Sequence, residues 1–330
     1  MQSKYLLEFE KPIAELDALI EELKRIGKDA GLQADAKLKG IDIEAKILEL
    51  EKAKDERTRH IFSHLTPWDE VQMARHIERP YTLDYIALIC EDFLELHGDR
   101  INADDAAIVG GMATFRGEQV VVIGHQKART AKERVVRNFG SARPAGFRKA
   151  LRLMKMAEKF HRPLLIFVDT PAAEANLQAE EEGISTTIAV CLREMMMIET
   201  PIIVAVIGEG GSGGALGIAV GDHIMMLEHA VYSVIPPEGC AAILWNDRNR
   251  AADAAKALKL TSRHACEFEI VDEVIAEPLG GAHRDPSAMA SRLGDRFAHR
   301  LSELRQIPPE ELLEKRYQKF RRMGRWLDAS

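Results

Sequence analysis

Apolar residues fall at alternating spacings of three and four at Ile13, Leu16, Ile20 and Leu23, within residues 12–28. Ile43, Ile47 and Leu50 repeat that spacing in a second, charge-rich stretch. Such a period lays one apolar stripe along each of two helices. Gly31 and Gly40 mark the break between them, so the region reads as a helical hairpin for docking or oligomerisation, or as an amphipathic arm packed on its own domain. Thr66-Pro67-Trp68-Asp69-Glu70 and Thr82-Leu83-Asp84 carry the residue types that start helices.

From Ala106 the pattern changes. Residues 107–115 and 119–123 read as strands joined through Arg116-Gly117-Glu118. Helix is predicted over 144–160 and 184–198. Apolar strands are predicted over 163–168, ending at Asp169-Thr170-Pro171, and over 201–207, with short strands at 222–227 and 231–235. Apolar runs alternating with helices predict an α/β core with parallel strand pairing. After Pro278-Leu279-Gly280-Gly281, residues 287–304 and 309–322 read as charged helices.

Within that core the buried run at 204–207 breaks into five glycines in seven residues, Gly208-Glu209-Gly210-Gly211-Ser212-Gly213-Gly214, before a predicted helix at 216–220. A strand–glycine–helix junction clears side chains from a place where backbone N–H groups converge, which suits an anion or a developing oxyanion. A Walker A loop is excluded, because no Lys followed by Ser or Thr closes the run. Gly208, Gly210 and Gly213 fit a dinucleotide fingerprint, with Glu228 about twenty residues on. The stretch up to Gly221-Asp222 is too short for the usual crossover helix of roughly 10–12 residues or more. A nicotinamide site and a glycine turn set only by packing remain as alternatives.

The 330 residues carry 45 basic and 52 acidic side chains, a balance that excludes a general nucleic-acid binder. No apolar run reaches the roughly 18–20 residues of a membrane span, and the start of the chain has no signal-peptide pattern. Cys90, Cys191, Cys240 and Cys266 are scattered, which argues against zinc and disulfides in this chain and for a reducing cytoplasm. Residues 127–155 hold ten Lys and Arg against one acid, Glu133. That stretch is either a basic rim for phosphates, a partner protein or nucleic acid, or a solvated helix face or a contact with an acidic partner. His125 reads as a hydrogen-bonded structural histidine, and Glu238 and Cys240 as residues ordering a helix start.

Several longer stretches go together: Arg79-Pro80-Tyr81-Thr82-Leu83-Asp84-Tyr85, Ala107-Ile108-Val109-Gly110-Gly111, Ile123-Gly124-His125-Gln126-Lys127, Arg137-Asn138-Phe139-Gly140, the helix 148–158, Tyr232-Ser233-Val234-Ile235 with Pro237-Glu238-Gly239-Cys240-Ala241, and Glu277-Pro278-Leu279-Gly280-Gly281-Ala282-His283-Arg284. With the glycine turn they resemble, in collinear order over nearly the whole chain, the alpha subunits of acetyl-CoA carboxylase carboxyltransferases. The resemblance implies an α/β, crotonase-like spiral of ββα units with an N-terminal helical hairpin and a helical C-terminal extension. The implied division is 1–80 for docking, 81–284 for the core and 285–330 for the extension. It further implies a transferase that moves a carboxyl group from carboxybiotin, on a biotin carboxyl carrier protein, to acetyl-CoA, giving malonyl-CoA. The implied partner is a beta subunit bearing a zinc ribbon, in an alpha2beta2 heterotetramer, with no metal in this chain.

The biotin ureido anion can itself take the methyl proton, so such a reaction needs N–H donors rather than a side-chain base. The expected donors are the backbone groups of Gly210, Gly211, Gly213, Gly214 and Ala215. The expected pocket residues are Ala172, Ala173, Glu174, Pro237, Glu238 and Gly239, and Lys127, Arg129, Arg137 and Arg148 are candidate CoA or carrier contacts. One stretch departs from the pattern. After Asp169-Thr170-Pro171 the family usually continues Gly-Ala-Tyr-Pro-Gly, where this chain has Ala172-Ala173-Glu174-Ala175-Asn176. Ala128 likewise stands where a glycine is usual. These changes predict a different loop shape and keep an impaired, scaffold-like subunit as an alternative. A stand-alone hydratase or isomerase would need Glu174 or Glu209 as its base.

Overall fold

The computed structural model describes residues 5–29, 33 and 42–324, so the break read at Gly31 and Gly40 lies outside the described residues. Helix α1 (Lys11–Lys28) begins with Pro12 in its first turn and buries Ile13 and Ile20. Helix α2 (Ile43–Phe62) is capped by Asp42, whose carboxylate accepts the Ala45 amide. The two helices lie together, with Lys54 on Asp17 at 2.9 Å and Lys24 on Glu51 at 3.0 Å. Ile43 and Thr58 are the residues α2 buries, so this hairpin is thinly cored and edged by charge. Helix α3 (Pro67–Ala74) opens on a reciprocal cap between Thr66 and Asp69, and α4 (Thr82–Ile89) opens where Asp84 accepts the Tyr81 amide at 2.8 Å.

One mixed sheet organises the rest. Strands β1 (Glu91–Glu95), β2 (Ile108–Phe115) and β3 (Glu118–His125) are antiparallel. The β2–β3 hairpin closes on two residues with positive φ, Arg116 at 49° and Gly117 at 80°, the backbone that a two-residue turn between twisted strands requires. Strands β4 (Leu164–Thr170), β5 (Ile202–Gly211) and β6 (His223–Leu227) continue the sheet in parallel, and β8 (Glu273–Ile275) ends it. The short β7 (Val231–Ser233) pairs with the far end of β5. Every residue of β4 and β5 is buried, which is why their sequences read as unbroken apolar runs.

The remaining helices are α5 (Ala131–Val136), α6 (Pro144–Lys159), α7 (Leu177–Glu181), α8 (Ile184–Met197), α9 (Ser212–Leu216), α10 (Pro237–Trp245), α11 (Ala251–Leu258), α12 (Ser262–Glu267), α13 (Pro286–Leu304) and α14 (Pro309–Arg321). Phe147, Leu153 and Met154 of α6 and Leu293, Phe297 and Leu301 of α13 share the apolar core with the sheet. Two buried arginines tie distant segments to it. Arg79 pairs with Glu277 and donates to the Ile207 carbonyl at 2.6 Å. Arg316 of α14 grips Asp222 through two bonds of 2.8 Å and also reaches the Met195, Ile198 and Thr200 carbonyls. Among the described residues no helix is long and apolar enough to cross a membrane.

Candidate active site

The sequence places the end of the strand at residue 207 and a helix at 216–220, and both positions are corrected. β5 runs on through Gly211, because Gly210 and Gly211 pair with Tyr232 and Ser233 of β7. The helix is α9, which ends at Leu216. It holds Gly213, Gly214 and the fully buried Ala215, and the amides of its first turn, Ser212 to Gly214, find no acceptor within the helix. None of the five glycines has a positive φ; Ser212, at 49°, takes the left-handed backbone instead. The glycines answer to close approach. A Cβ on Gly208 would overlap the Asp169 carboxylate, one on Gly210 the Tyr232 ring, and one on Gly211 the Pro171 carbonyl. On Gly214 it would lie 2.5 Å from the Ala172 carbonyl carbon and the Ala173 nitrogen, whereas on Gly213 it would meet only Ile188 at 3.5 Å.

The divergent loop is therefore pressed directly against the turn. Its last residue takes an ordinary backbone rather than a glycine-like one. Asn176 is extended, at φ −120°, and caps α7 by accepting the Ala179 amide at 2.8 Å. Ala172 and Ala173 line the turn, and Thr170 fastens the loop start to the Gly140 carbonyl at 2.7 Å and the Ala172 carbonyl at 2.8 Å. Glu174 is tethered at both ends: its amide donates to Ala142 at 2.9 Å, and its carboxylate accepts from Asn138. It does not present a free base.

Nor does Glu209. Lys127, at the end of β3, lies 2.7 Å from Asp169 at the end of β4 and 2.7 Å from Glu209 in β5. The second Glu209 oxygen accepts from Arg75 Nε at 2.6 Å, and Arg75 Nη1 donates to Glu238 at 2.5 Å. Asp169 also accepts the Glu209 amide at 2.9 Å. Burial raises the Glu209 carboxyl, but Lys127 and Arg75 outweigh it and hold the group ionised, below its ordinary range. For Asp169 burial wins over Lys127 and the pKa rises. Burial would lower the Lys127 ammonium, yet the two carboxylates drive it upward. Alternating charges thus run from Asp169 through Lys127, Glu209 and Arg75 to Glu238. Pro237, Glu238 and Gly239 form the first turn of α10, and the cleft between this wall and the turn is lined by Arg75, Pro171, Glu209, Gly210, Gly211 and Pro237.

His125 does not carry the hydrogen bonds expected of it. It is fully buried and neither ring nitrogen has a hydrogen-bond partner among the described residues. Burial pushes its pKa down to about 3, Lys127 adds to the effect and the Gly214 backbone opposes it, so the ring is neutral. The basic stretch is consumed largely within the chain. Arg129 pairs with Asp84 at 2.7 Å and lies over the Tyr81 ring, Arg137 donates to the Ala106 carbonyl at 2.8 Å, and Arg148 pairs with Asp99 at 2.8 Å. Lys149 pairs with Asp104 at 2.6 Å, Arg134 and Arg152 reach only backbone carbonyls, and Lys132 and the Arg143 guanidinium have no ion-pair partner among the described residues. A cluster of Glu10, His76 and His283 brings three potential ligand atoms within 4.8 Å of one another. Both His76 nitrogens are already engaged there, Nε2 with the Tyr5 carbonyl and Nδ1 with the Glu78 amide.

The glycines, the first turn of α10 and the loop, all named from sequence, lie together around this cleft, whereas Arg75, Asp169 and Glu277 carry no sequence signal as partners. Arg75 joins Glu209 across 134 residues, and no local signal announces that.

Residues 6–324 match the family described as acetyl co-enzyme A carboxylase carboxyltransferase-like. The chain is 53% identical over 328 residues to the acetyl-coenzyme A carboxylase carboxyl transferase subunit alpha of Geobacter metallireducens, covering 99% of this chain and 100% of that one. It is 52% identical to the subunit of the same name from Thioalkalivibrio sulfidiphilus, with 98% of each covered. A Pseudomonas malonate decarboxylase hetero-tetramer shares the fold with a TM-score of 0.54 at 15% identity, over 65% of this chain and 86% of that one. Transcarboxylase 12S gives a TM-score of 0.53 at 21% identity, over 68% of this chain and 44% of that longer one. The fold is thus an α/β fold, a mixed sheet with helices, shared with crotonase-like carboxyltransferases. With the match spanning almost its whole length, the chain belongs to the acetyl-CoA carboxylase carboxyltransferase family, on the side of the alpha subunits.

Proposed function

We propose that this chain forms the biotin-facing half of a carboxyltransferase that moves a carboxyl group from carboxybiotin, on a carrier protein, to acetyl-CoA. The product is malonyl-CoA, and the reaction opens fatty acid biosynthesis. The observation that carries this reading is the glycine turn. Gly210 and Gly211 line the cleft where the strand gives way to α9, and the carboxylates Asp169, Glu209, Glu238 and Glu174 are all bonded to cations or amides. Such a site favours an oxyanion and offers no free general base, which argues against a hydratase or isomerase acting through Glu174 or Glu209.

The residues fit a biotin ureido ring. The first turn of α9 offers unsatisfied amides, and Gly213 leaves room that a larger side chain would fill. When bound, biotin supplies the ureido nitrogen that carries the carboxyl group and, once relieved of it, accepts the methyl proton. The chain's part is electrostatic. Amides among Gly210, Gly211, Gly213 and Gly214 donate to the oxyanion, while that of Ala215, fourth in α9, is taken up by the helix; losing one such donor typically costs about 2.7–4 kcal/mol of transition-state stabilisation. Ala172, Ala173 and the first turn of α10 orient the ring and exclude water.

The acyl-CoA half of the site is assigned to a zinc-bearing beta subunit, in an alpha2beta2 assembly, and the complex to the cytoplasm, where four free cysteines stay reduced. Purified chain alone should make no malonyl-CoA, and adding the beta subunit should restore turnover. Robust turnover by the chain alone would overturn the heteromeric reading.

A further inference from the structure

We propose that Arg75 is a positioning residue for carboxyl transfer, its guanidinium holding the glycine strand and the α10 wall at one fixed spacing. The inference rests on the functional reading above and adds to it a residue that lies outside every motif carrying the resemblance. Glu209, immediately before Gly210, receives Arg75 Nε at 2.6 Å, while Glu238, the second residue of α10, receives Nη1 at 2.5 Å and Nη2 at 3.3 Å. One planar fork therefore spans the cleft from the donor strand to the facing wall.

The two sides of that cleft are not equally anchored. On the strand side, Lys127 bonds Asp169 and Glu209, and the Glu209 amide donates back to Asp169, which locks the ends of β3, β4 and β5 together. On the other side, α10 belongs to a small apolar cluster of Cys240, Ala241 and Ala254, separate from the main core. Ile243 and Leu244 of the same helix are exposed. The wall thus has modest purchase of its own, and the Arg75–Glu238 pair registers it against the locked strand ends. Arg75 is able to do so because it is the C-terminal cap residue of α3, whose Val71 and Ala74 pack on Ala255 of α11.

Lysine cannot replace it, since one ammonium does not reach two carboxylates in the geometry of a fork. The Arg75 and Glu238 side chains are 30% and 38% exposed, a setting in which ion pairs add little to folding stability. Glu209 keeps Lys127 when Arg75 is lost, so no buried charge is orphaned. The consequence is selective: catalysis suffers and the fold does not.

The test uses the full chain assembled with its beta subunit, comparing wild type, Arg75→Lys, Arg75→Met, Glu238→Gln and the double variant Arg75→Met/Glu238→Gln. Carboxyl transfer between malonyl-CoA and free biotin is measured alongside urea unfolding. A misplacement of about 1 Å can cost roughly 100-fold, so Arg75→Met should lose ~10–100-fold in kcat/KM for biotin while its KM for the CoA substrate and its urea midpoint stay near wild type. Arg75→Lys should fail to rescue, and the double variant should be no worse than Arg75→Met. Full activity of Arg75→Lys, or additive losses in the double variant, would overturn the proposal. Should Arg75→Met fail to assemble, Arg75→Lys and Glu238→Gln decide the matter. An inactive wild-type complex would instead remove the functional reading on which the proposal stands.

Discussion

Gly213 and Gly214 look interchangeable in the sequence, yet alanine at the two positions should have opposite effects. At Gly213 the backbone is not left-handed and an added Cβ meets only Ile188 Cδ1, at an ordinary 3.5 Å. Alanine there removes unfolded-state freedom, worth roughly 0.5–1 kcal/mol in a helix interior and less in a first turn. At Gly214 the same atom lies 2.5 Å from two backbone atoms, the Ala172 carbonyl carbon and the Ala173 nitrogen. Ordinary carbon contacts are about 3.5–4.0 Å, so the turn and the loop must separate by about 1 Å. Overpacking of that kind costs about 1–3 kcal/mol. The displaced backbone is the proposed pocket wall itself, and a shift of about 1 Å there should lower activity by ~100-fold.

Urea unfolding and malonyl-CoA formation by the complex measure both quantities. Gly213→Ala should unfold at an equal or higher midpoint and stay within a few-fold of wild-type activity, because its amide remains. Gly214→Ala should lose on both counts. Equal losses in the two variants would refute the argument from close approach, and full activity in Gly214→Ala would remove the loop from the site.

Three further outcomes follow from the same geometry. Changing Ala172-Ala173-Glu174-Ala175-Asn176 to Gly-Ala-Tyr-Pro-Gly removes the Glu174 carboxylate that Asn138 holds and should raise activity towards free biotin several-fold; an unchanged rate with the complex intact would make the native loop a working pocket of its own. Arg316→Met leaves Asp222 buried without its bidentate partner and should cost about 3–5 kcal/mol in urea unfolding, with a loss below about 1 kcal/mol contradicting this. His125 has a folded pKa of about 3, below an unfolded value near 6.5, so between these values the unfolded chain binds the extra proton. Its contribution is intact above about pH 6.5 and is lost as pH falls, by up to ~1.36 kcal/mol per pH unit. His125→Gln should flatten that slope between about pH 6.5 and 4.5, and identical slopes would show that the histidine is not buried neutral.

How much of this was legible depended on whether the deciding forces were local. β4 and β5 were visible because strands buried on both faces leave continuous apolar runs. β1 was not visible, since Glu91, Asp92 and Glu95 give an edge strand the look of a polar loop. The end of β5 was misplaced because glycine carries no strand signal, and pairing with Tyr232 and Ser233 is what holds Gly210 and Gly211 extended. The basic stretch 127–155 looked like an open rim because its neutralising acids come from elsewhere: Asp84, Asp99, Asp104, Asp169, Glu194 and Glu209. Arg79 and Glu277 each stood in a recognisable motif, but only the fold shows that the two motifs meet as one buried ion pair.

That pair also bears on how the proposed site could work with little help from side chains. Arg79 donates to the carbonyl of Ile207, the last residue before the glycines, while Glu277 accepts the amides of His229 and Ala282. Burial raises the Glu277 carboxyl, but Arg79, helped by His229, more than reverses this and brings it to about 2, so the pair stays charged throughout the working pH range. Lys127 performs the same service two residues further along β5, at Glu209. The backbone entering the turn is therefore gripped from both sides by permanent charges, and the atoms after it need no side chains to hold them still. Preorganised amides stabilise charge because they do not have to reorganise when it appears. A turn built of glycine has that property only where its flanks are fixed, and here Arg79, Lys127 and Arg75 fix them.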